Sequence, residues 1–424
     1  MATKSNLLYT PFLGELYYKI ENSDAIPPFL MTMVSPTNHW LFLTSNGGIT
    51  AGRKNAEFAL FPYYTDDKLI DTAETTGGKT IIRINGDETL LWEPFSNRMQ
   101  DQFTVTRNLY KSKYGNKIVL EEVNHDLQLT FREQWNSSNL YGFVRRSFLI
   151  NNGSGIRNIS IVDGVQNILP YGVPSDLQQT TSNLVDAYKK SELEKAANLG
   201  IYALSAIIVD KAEPSEALKA NIAWSLGIDN PTVLLSSLQL GDFREDGHVE
   251  EKVDLRAEKG AYLLHKSFSL ESAEEKDWMI IANVNQDHSG IAALMHKIKT
   301  NANLEQEVLQ NIEDGTEQLV RLVASADGLQ QTADQFRDDR HFSNTLFNLM
   351  RGGVFDENYR IEKKDFRSYL RHANPKVAQA HESFLDDVGE EFTMFTLNQK
   401  VQGLDDTDLK RLTYEYLPLR FSRR

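Results

Sequence analysis

Three clusters in this chain carry side chains suited to recognising a polar ring. The first is Tyr63-Tyr64-Thr65-Asp66-Asp67, two aromatics beside two carboxylates. An aromatic face takes the apolar face of a sugar, and a carboxylate accepts from its hydroxyl edge. The second is Trp92-Glu93-Pro94, where an indole at a strand end could act as a stacking platform. The third lies in Ile161–Val173, where Asp163-Gly164 interrupts an apolar run and Gln166, Asn167 and Tyr171 follow. A carboxylate, two amides and a phenol on an irregular segment could form a polyol-binding corner. Each cluster has a plainer alternative. Tyr63–Asp67 could be a solvated acidic turn, and Trp92 a core aromatic. Gln166 and Asn167 could satisfy local backbone while Pro170 redirects the chain.

Other chemistries find less support. The chain has no cysteine, which excludes disulfides, Cys-ligated metals and thiol nucleophiles. Walker A, G-x-G-x-x-G, G-x-S-x-G and H-E-x-x-H patterns are missing. His341 and His381 stand alone, so each reads as a structural histidine. Arg351-Gly352-Gly353 could hold an anion, but a helix C-cap explains its glycines as well. Asp254 and Glu258 lie in a charged run and cannot be assigned as a catalytic pair. No cofactor and no metal is expected.

The net charge of −14 argues against a nucleic acid and against an anionic membrane surface as partner. A neutral glycan fits it. No stretch approaches the ~20 apolar residues of a membrane span. The N-terminus shows no apolar run of signal-peptide length, which leaves a cytoplasmic protein or one whose signal has been replaced. Asn136, Asn152 and Asn158 open glycosylation-type triplets, read here as turn chemistry.

The elements that must position these residues are mostly strands. Glu15–Ile20, Phe29–Val34, His39–Thr44, Ile49–Gly52 and Ala56–Phe61 are expected strands, the last closed by Pro62. Lys79–Ile84 and Thr89–Trp92 form a hairpin through Asn85-Gly86. Phe103–Lys111, Lys117–Val123, Leu127–Trp135, Tyr141–Asn151 and Ile156–Val165 follow at the spacing of a sandwich. Of Arg145-Arg146, one should face outward and the other must find a partner. Asp163-Gly164 suggests a bulge or a close backbone approach.

Ser175 and Gln178 read as a capping box opening a helix through Leu184 and Tyr188 to about Ala197. Strands resume at Ile201–Val209, Ile222–Leu226, Val233–Leu240, Ala261–Leu270 and Trp278–Val284. Phe243–Leu255 reads as a solvated loop. From Asp287 the period turns helical. Ile291 to Ile298, Leu304 to Val323, Phe342 to Met350 and Leu409 to Tyr416 each stripe a helix. Val377, His381, Phe384, Val388, Phe392 and Phe395 stripe one long helix. The expected fold is therefore β-rich plus α, a large antiparallel sandwich followed by a helical region. The expected domains are residues 1–286 and 287–424.

The stretch His39–Asp71 also carries a resemblance. An aromatic strand, the turn Ser45-Asn46-Gly47-Gly48, Gly52-Arg53 and an aromatic segment running into acids resemble the N-terminal β-supersandwich of glycoside phosphorylases, the cellobiose and chitobiose phosphorylase group. The resemblance covers about residues 30–285. It implies a carbohydrate-active context, with sandwich loops shaping an active site in a helical barrel. It carries over no catalytic or phosphate-binding residue.

About 140 residues follow the last strand, too few for a double ring of twelve helices. The chain is thus expected to be the N-terminal, non-catalytic or substrate-shaping part of a larger glycoside phosphorylase or hydrolase, ending in a connector or first barrel helices. The alternatives are a self-contained carbohydrate-binding or assembly module, and a stand-alone enzyme with an unassigned carboxylate pair. Expected ligands are an oligosaccharide or a sugar phosphate, with a homodimer possible. The candidate carbohydrate-binding residues are Tyr63, Tyr64, Asp66, Trp92, Asp163, Gln166, Asn167 and Tyr171.

Overall fold

The computed structural model describes residues 5–64, 66–86, 88–99, 101–180, 185–205, 219–325, 328–350, 354–355, 360–416 and 419–420. The chain falls into two compact units: residues 1–34 with 39–317, and residues 35–38 with 318–424.

The first unit is a layered antiparallel β structure. Its strands are β1 (Asn6–Phe12), β2 (Glu15–Glu21), β3 (Leu30–Met33), β4 (His39–Thr44), β5 (Ile49–Arg53), β6 (Ala59–Phe61), β7 (Gly77–Asn85), β8 (Leu90–Trp92), β9 (Val105–Ser112) and β10 (Ile118–Asn124). β11 (Leu129–Ser138), β12 (Gly142–Asn151), β13 (Arg157–Ile168), β14 (Lys189–Glu194), β15 (Leu199–Leu204) and β16 (Lys219–Leu226) follow. β17 (Thr232–Ser236), β18 (Asp254–Arg256), β19 (Gly260–Leu270) and β20 (Glu275–Asp287) complete the set.

An eleven-stranded sheet runs β1-β2-β9-β10-β11-β12-β20-β16-β15-β14-β18. A five-stranded sheet runs β17-β19-β13-β7-β8, and a four-stranded sheet β3-β4-β5-β6. Side-chain alternation explains the layering. Along β12, Phe143 and Leu149 enter a core shared with Ile82 and Ile161 of the five-stranded sheet and Leu41 and Phe61 of the four-stranded one. Val144, on the opposite face, packs with Leu304, Val308 and Ile312 of a helix.

Helices flank these sheets: α1 (Asp66–Asp71), α2 (Ser175–Thr180), α3 (Leu240–Glu245) and α4 (His288–Thr300). The long α5 (Leu304–Ser325) crosses the boundary between the units. The second unit adds α6 (Gln335–Met350), α7 (Lys363–Ala373), α8 (Pro375–Ala380), α9 (Glu382–Asp387), α10 (Met394–Gln402) and α11 (Thr407–Glu415). It has its own core, in which Phe366, Leu370, Leu385, Leu397, Val401 and Leu409 are fully buried. No described helix is long and apolar enough to cross a membrane.

Several expected elements differ. Ala56–Phe61 is a 3-10 turn, Ala56–Phe58, followed by the three-residue β6, because the Asn55 side chain accepts from Glu57 N and caps the turn. The expected helix does not reach Ala197: α2 is described over Ser175–Thr180, helical backbone is seen again at residues 185–186, and Lys189–Glu194 is the strand β14, whose alternate residues Lys189, Ser191 and Leu193 face inward. Leu184 lies outside the described residues, as do residues 206–209 of the expected strand and the Arg351-Gly352-Gly353 turn. The charged run after Leu240 is not all solvated loop: it opens as α3, and Phe243 is fully buried against Ile81 and Val162. The long stripe from Val377 to Phe395 is broken into α8, α9, a short strand (Glu391–Thr393) and α10. His381 leaves helical geometry and Gly389 takes a positive φ of 87°, so one continuous helix cannot form.

Candidate functional site

The buried acids of the sandwich act first as struts. Asp163 on β13 is 0% exposed and meets Arg145, from β12 of the facing sheet, through Nη1 at 2.8 Å and Nη2 at 3.0 Å. It also accepts from Thr80 Oγ1 at 2.5 Å, Ser147 Oγ at 2.9 Å and Trp278 Nε1 at 2.7 Å. Arg145 turns its Nε to Glu133 Oε2 at 2.8 Å. Burial alone would make this guanidinium easier to deprotonate, but Asp163 and Glu133 raise its pKa above the ordinary arginine value. Of Arg145-Arg146, the first is thus the inward arginine with partners, and Arg146 faces outward to Asp277. Asp163-Gly164 is not a bulge, since pairing with β19 runs unbroken to Gln166 and shifts only before Ile168. The close approach is real: a Cβ on Gly164 would lie 2.0 Å from Tyr262 O.

Trp92 is also 0% exposed, with Nε1 donating to Glu122 Oε1 at 2.7 Å. Its ring offers no open face for stacking. Neighbouring Glu93 is held by Lys79 at 2.9 Å and by Arg244 at 2.6 Å. Burial would raise the Glu93 carboxyl, but Arg244 and Lys79 keep it below its ordinary pKa. Gln166 donates to Glu74 O at 2.8 Å, and Asn167, at a positive φ of 58°, donates to Thr76 Oγ1 at 2.8 Å. Both amides therefore tie β13 to the segment leading into β7.

Four of the sequence-selected residues lie around α2. The organiser is Gln178, which sequence reasoning assigned to a capping box. Its Oε1 accepts from Tyr63 N at 2.9 Å, and its Nε2 donates to Ala56 O and Val173 O. Ser175 Oγ turns to Glu57 Oε1 at 2.6 Å instead of capping reciprocally. Tyr64 and Asn167 line one small cavity of about 20 Å³ with Gln178, Lys189 and Lys259. That volume suits about one water. Tyr63 packs edge-on against Trp40, and Tyr171 sits beside Phe58 with Lys219 Nζ 5.8 Å from its ring. Tyr63, Tyr64 and Tyr171 are each half-buried. Lys189 is buried, which lowers its pKa, and pairs with Asp186 at 2.6 Å. The side chain of Asp66 lies outside the described part, and its backbone opens α1.

The Ser45–Gly48 turn explains how α1 is fastened. Asn46 Nδ2 donates to Ile70 O at 3.0 Å, and a Cβ on Gly48 would sit 1.9 Å from Leu69 O. The structure thus brings Tyr63, Tyr64, Asn167 and Tyr171 to one corner and places Trp92, Asp163 and Gln166 in packed interior networks. Sequence reasoning missed Gln178's clamp and the lysines beside it. No group of three or more residues able to hold a metal occurs among the described residues.

Residues 355–418 match the family model for glycoside hydrolase family 149 insertion domain 1. The match takes in α7 to α11, the stretch expected to be a connector or first barrel helices. The match lies outside residues 30–285, which carry the resemblance, and supports a glycoside phosphorylase-like, carbohydrate-active enzyme region. No curated protein matches the chain. Among solved structures, it is similar to a polysaccharide lyase, with 10% identity, 64% of this chain and 34% of that one covered, and TM-score 0.34. It is similar to a protein described as an aldose 1-epimerase from Klebsiella pneumoniae subsp. pneumoniae, with 7% identity, 70% and 92% covered, and TM-score 0.33. It is also similar to one described as a kojibiose phosphorylase from the human microbiome, with 9% identity, 80% and 41% covered, and TM-score 0.31. The chain thus spans well under half the length of the lyase and the phosphorylase.

Proposed function

We propose that this chain is the non-catalytic, substrate-shaping part of a glycoside phosphorylase- or hydrolase-like enzyme. The insertion-domain match over residues 355–418 carries the reading. The buried carboxylates support it. Glu93, Glu121, Glu122, Glu133 and Asp163 each meet a basic side chain within salt-bridge distance. Tied into ion pairs between and along the sheets, these acids serve the fold rather than bond cleavage.

In this reading Tyr63, Tyr64 and Tyr171 form a rim for an oligosaccharide, and exposed Lys259 offers a charge to a sugar phosphate. The cavity beneath is too small for a ring, so recognition falls to the rim alone. A homodimer and a cytoplasmic location belong to the same proposal, the latter compatible with the cysteine-free composition.

The test is to assay the chain against cellobiose with and without inorganic phosphate, and to titrate cellobiose and glucose 1-phosphate by calorimetry. No turnover is expected, with weak binding that Tyr64→Ala reduces. Sugar-dependent turnover by this chain alone would sink the non-catalytic reading. Binding untouched by Tyr64→Ala would sink the rim.

A further inference from the structure

Three asparagines in this chain are followed by glycine: Asn46-Gly47, Asn85-Gly86 and Asn152-Gly153. Such a pair can react with itself. The glycine backbone nitrogen, once it gives up its proton, attacks the side-chain carbonyl carbon of the asparagine, and no side chain on the glycine shields it. In a folded chain the reaction needs more than the dipeptide. The asparagine amide must be free to turn, the glycine N–H must be open to base, and water must reach the ring that forms.

Two of the three pairs are locked. Asn46 Nδ2 donates to Ile70 O at 3.0 Å, Asn46 Oδ1 accepts from Thr44 Oγ1 at 2.6 Å, and Gly47 N donates to Thr44 O at 2.9 Å. Asn152 Nδ2 donates to Thr130 Oγ1 at 2.7 Å, and the buried Gly153 donates its N–H to Asn151 Oδ1 at 3.0 Å. In both pairs the attacking nitrogen and the amide under attack are each tied to another group.

Asn85-Gly86 has none of these ties. Both residues are exposed. The pairing of β7 with β8 ends at Ile84 and Leu90, so Asn85 is held only on its β13 side, opposite Asn158. Among the described residues no group bonds to the Asn85 side chain or to Gly86 N. Gly86 is not in the left-handed region, and a Cβ built on it would meet nothing nearer than Glu88 O at 3.6 Å. An alanine therefore fits there without strain.

We propose that Asn85 is a site of spontaneous modification, converting through a succinimide to aspartate and isoaspartate while Asn46 and Asn152 stay intact. In the first step Gly86 N bonds to Asn85 Cγ and the Cγ–Nδ2 bond breaks. The side-chain nitrogen leaves as ammonia, carrying the proton that Gly86 N gave up. In the second step water adds to either ring carbonyl and reopens the ring. Water is the sole co-reactant. Each product places a carboxylate at the tip of the β7–β8 hairpin where a neutral amide stood, and isoaspartate also lengthens the backbone by one carbon. The proposal does not rest on the carbohydrate reading.

The experiment is peptide mapping by mass spectrometry on the folded full chain, incubated in mildly alkaline buffer, with isoaspartate read by methyl transfer from a protein isoaspartyl methyltransferase. A parallel sample is unfolded in guanidinium. In the folded chain the Asn85 peptide gains the mass that exchanges NH2 for OH and becomes a methyl acceptor. Asn46 and Asn152 react at least about tenfold more slowly, the rate equivalent of one hydrogen bond that must first break. In guanidinium the three react at similar rates. Gly86→Ala slows the reaction at Asn85 at an unchanged melting temperature. Conversion of Asn46 or Asn152 as fast as Asn85 in the folded chain overturns the proposal. So does an Asn85 that persists in the folded chain while the unfolded chain reacts, because β7 then holds the backbone too extended for attack. A ranking unchanged in guanidinium removes its structural basis, and a Gly86→Ala variant that reacts as fast as the parent removes the ring mechanism.

Discussion

Asp163→Asn tests whether this acid is a strut or a ligand group. The carboxylate takes two hydrogen bonds from Arg145 and one each from Thr80, Ser147 and Trp278. An asparagine of the same shape keeps one acceptor oxygen and turns an NH2 toward donors that need an acceptor. Arg145 keeps Glu133 but loses half of its countercharge at a site 1% exposed. Breaking a buried ion pair on one side costs about 3–5 kcal/mol. At about 2 °C per kcal/mol for a domain of this size, the first unit should melt about 6–10 °C lower. Scanning calorimetry reads this directly. A variant that melts within about 1 °C of the parent but loses sugar binding would refute the strut and restore Asp163 to a binding site.

Other perturbations separate the remaining terms. His39 is buried in the sandwich and its pKa is held well below the ordinary histidine value by burial and then by Arg53. The unfolded chain therefore binds a proton that the folded one refuses. Stability is present above about pH 6.5 and falls by about 1.4 kcal/mol per pH unit below it. His39→Gln should flatten the melting temperature between pH 6.5 and 5, and a slope that persists would assign it elsewhere. Arg244→Met removes the leading influence that keeps Glu93 ionised. Glu93 has a depressed folded pKa, so its stabilisation is present above its unfolded value and lost as pH falls through the folded one. The variant should shift acid unfolding, followed by circular dichroism, to higher pH. Phe366→Ala in the second unit opens a core where Phe366 meets Tyr416 at 4.9 Å and Phe392 at 6.3 Å. About 3–5 kcal/mol should be lost there, read as hydrogen exchange speeding up in α7 to α11.

The strands were largely legible because their signals are local. β4, β5 and the β7–β8 hairpin follow from β-rich runs bounded by glycine or asparagine turns, and the strands from β9 to β12 from regular spacing. Failures arose where distant partners decide. Nothing in the local sequence of Lys189–Glu194 favours a strand over the helix running in from Ser175, and β14 exists because β15 and β18 pair with it. Gln178 has the spacing of a capping box, yet its amide is more valuable clamping Tyr63, 115 residues away. Phe243 lies within an acidic run, and only the outer face of β13 and β19 explains its burial.

The site residues show the same division in sharper form. Carboxylates, amides and indoles were chosen because they can recognise a sugar, but a sandwich with polar positions between its sheets needs those same groups for itself. One signal in the sequence could have told the two uses apart. Phe143, Arg145, Ser147 and Leu149 share one face of β12, and that face is the one that enters the inter-sheet core. An arginine fixed by strand parity inside a core must draw in carboxylates, because an unpaired buried charge is not tolerated. The nearest candidates on inward positions are Glu133, one strand away, and Asp163, on the strand that follows across the sandwich. Once Arg145 has claimed them, neither is free to meet a ligand. The opposite parity carries the complementary lesson. Gln134, Asn136 and Arg146 point outward from β11 and β12 and line a hollow there. On that face too the charged group is taken, since Arg146 pairs with Asp277 and Gln134 donates to Tyr17, so strand parity alone does not free a side chain for a ligand.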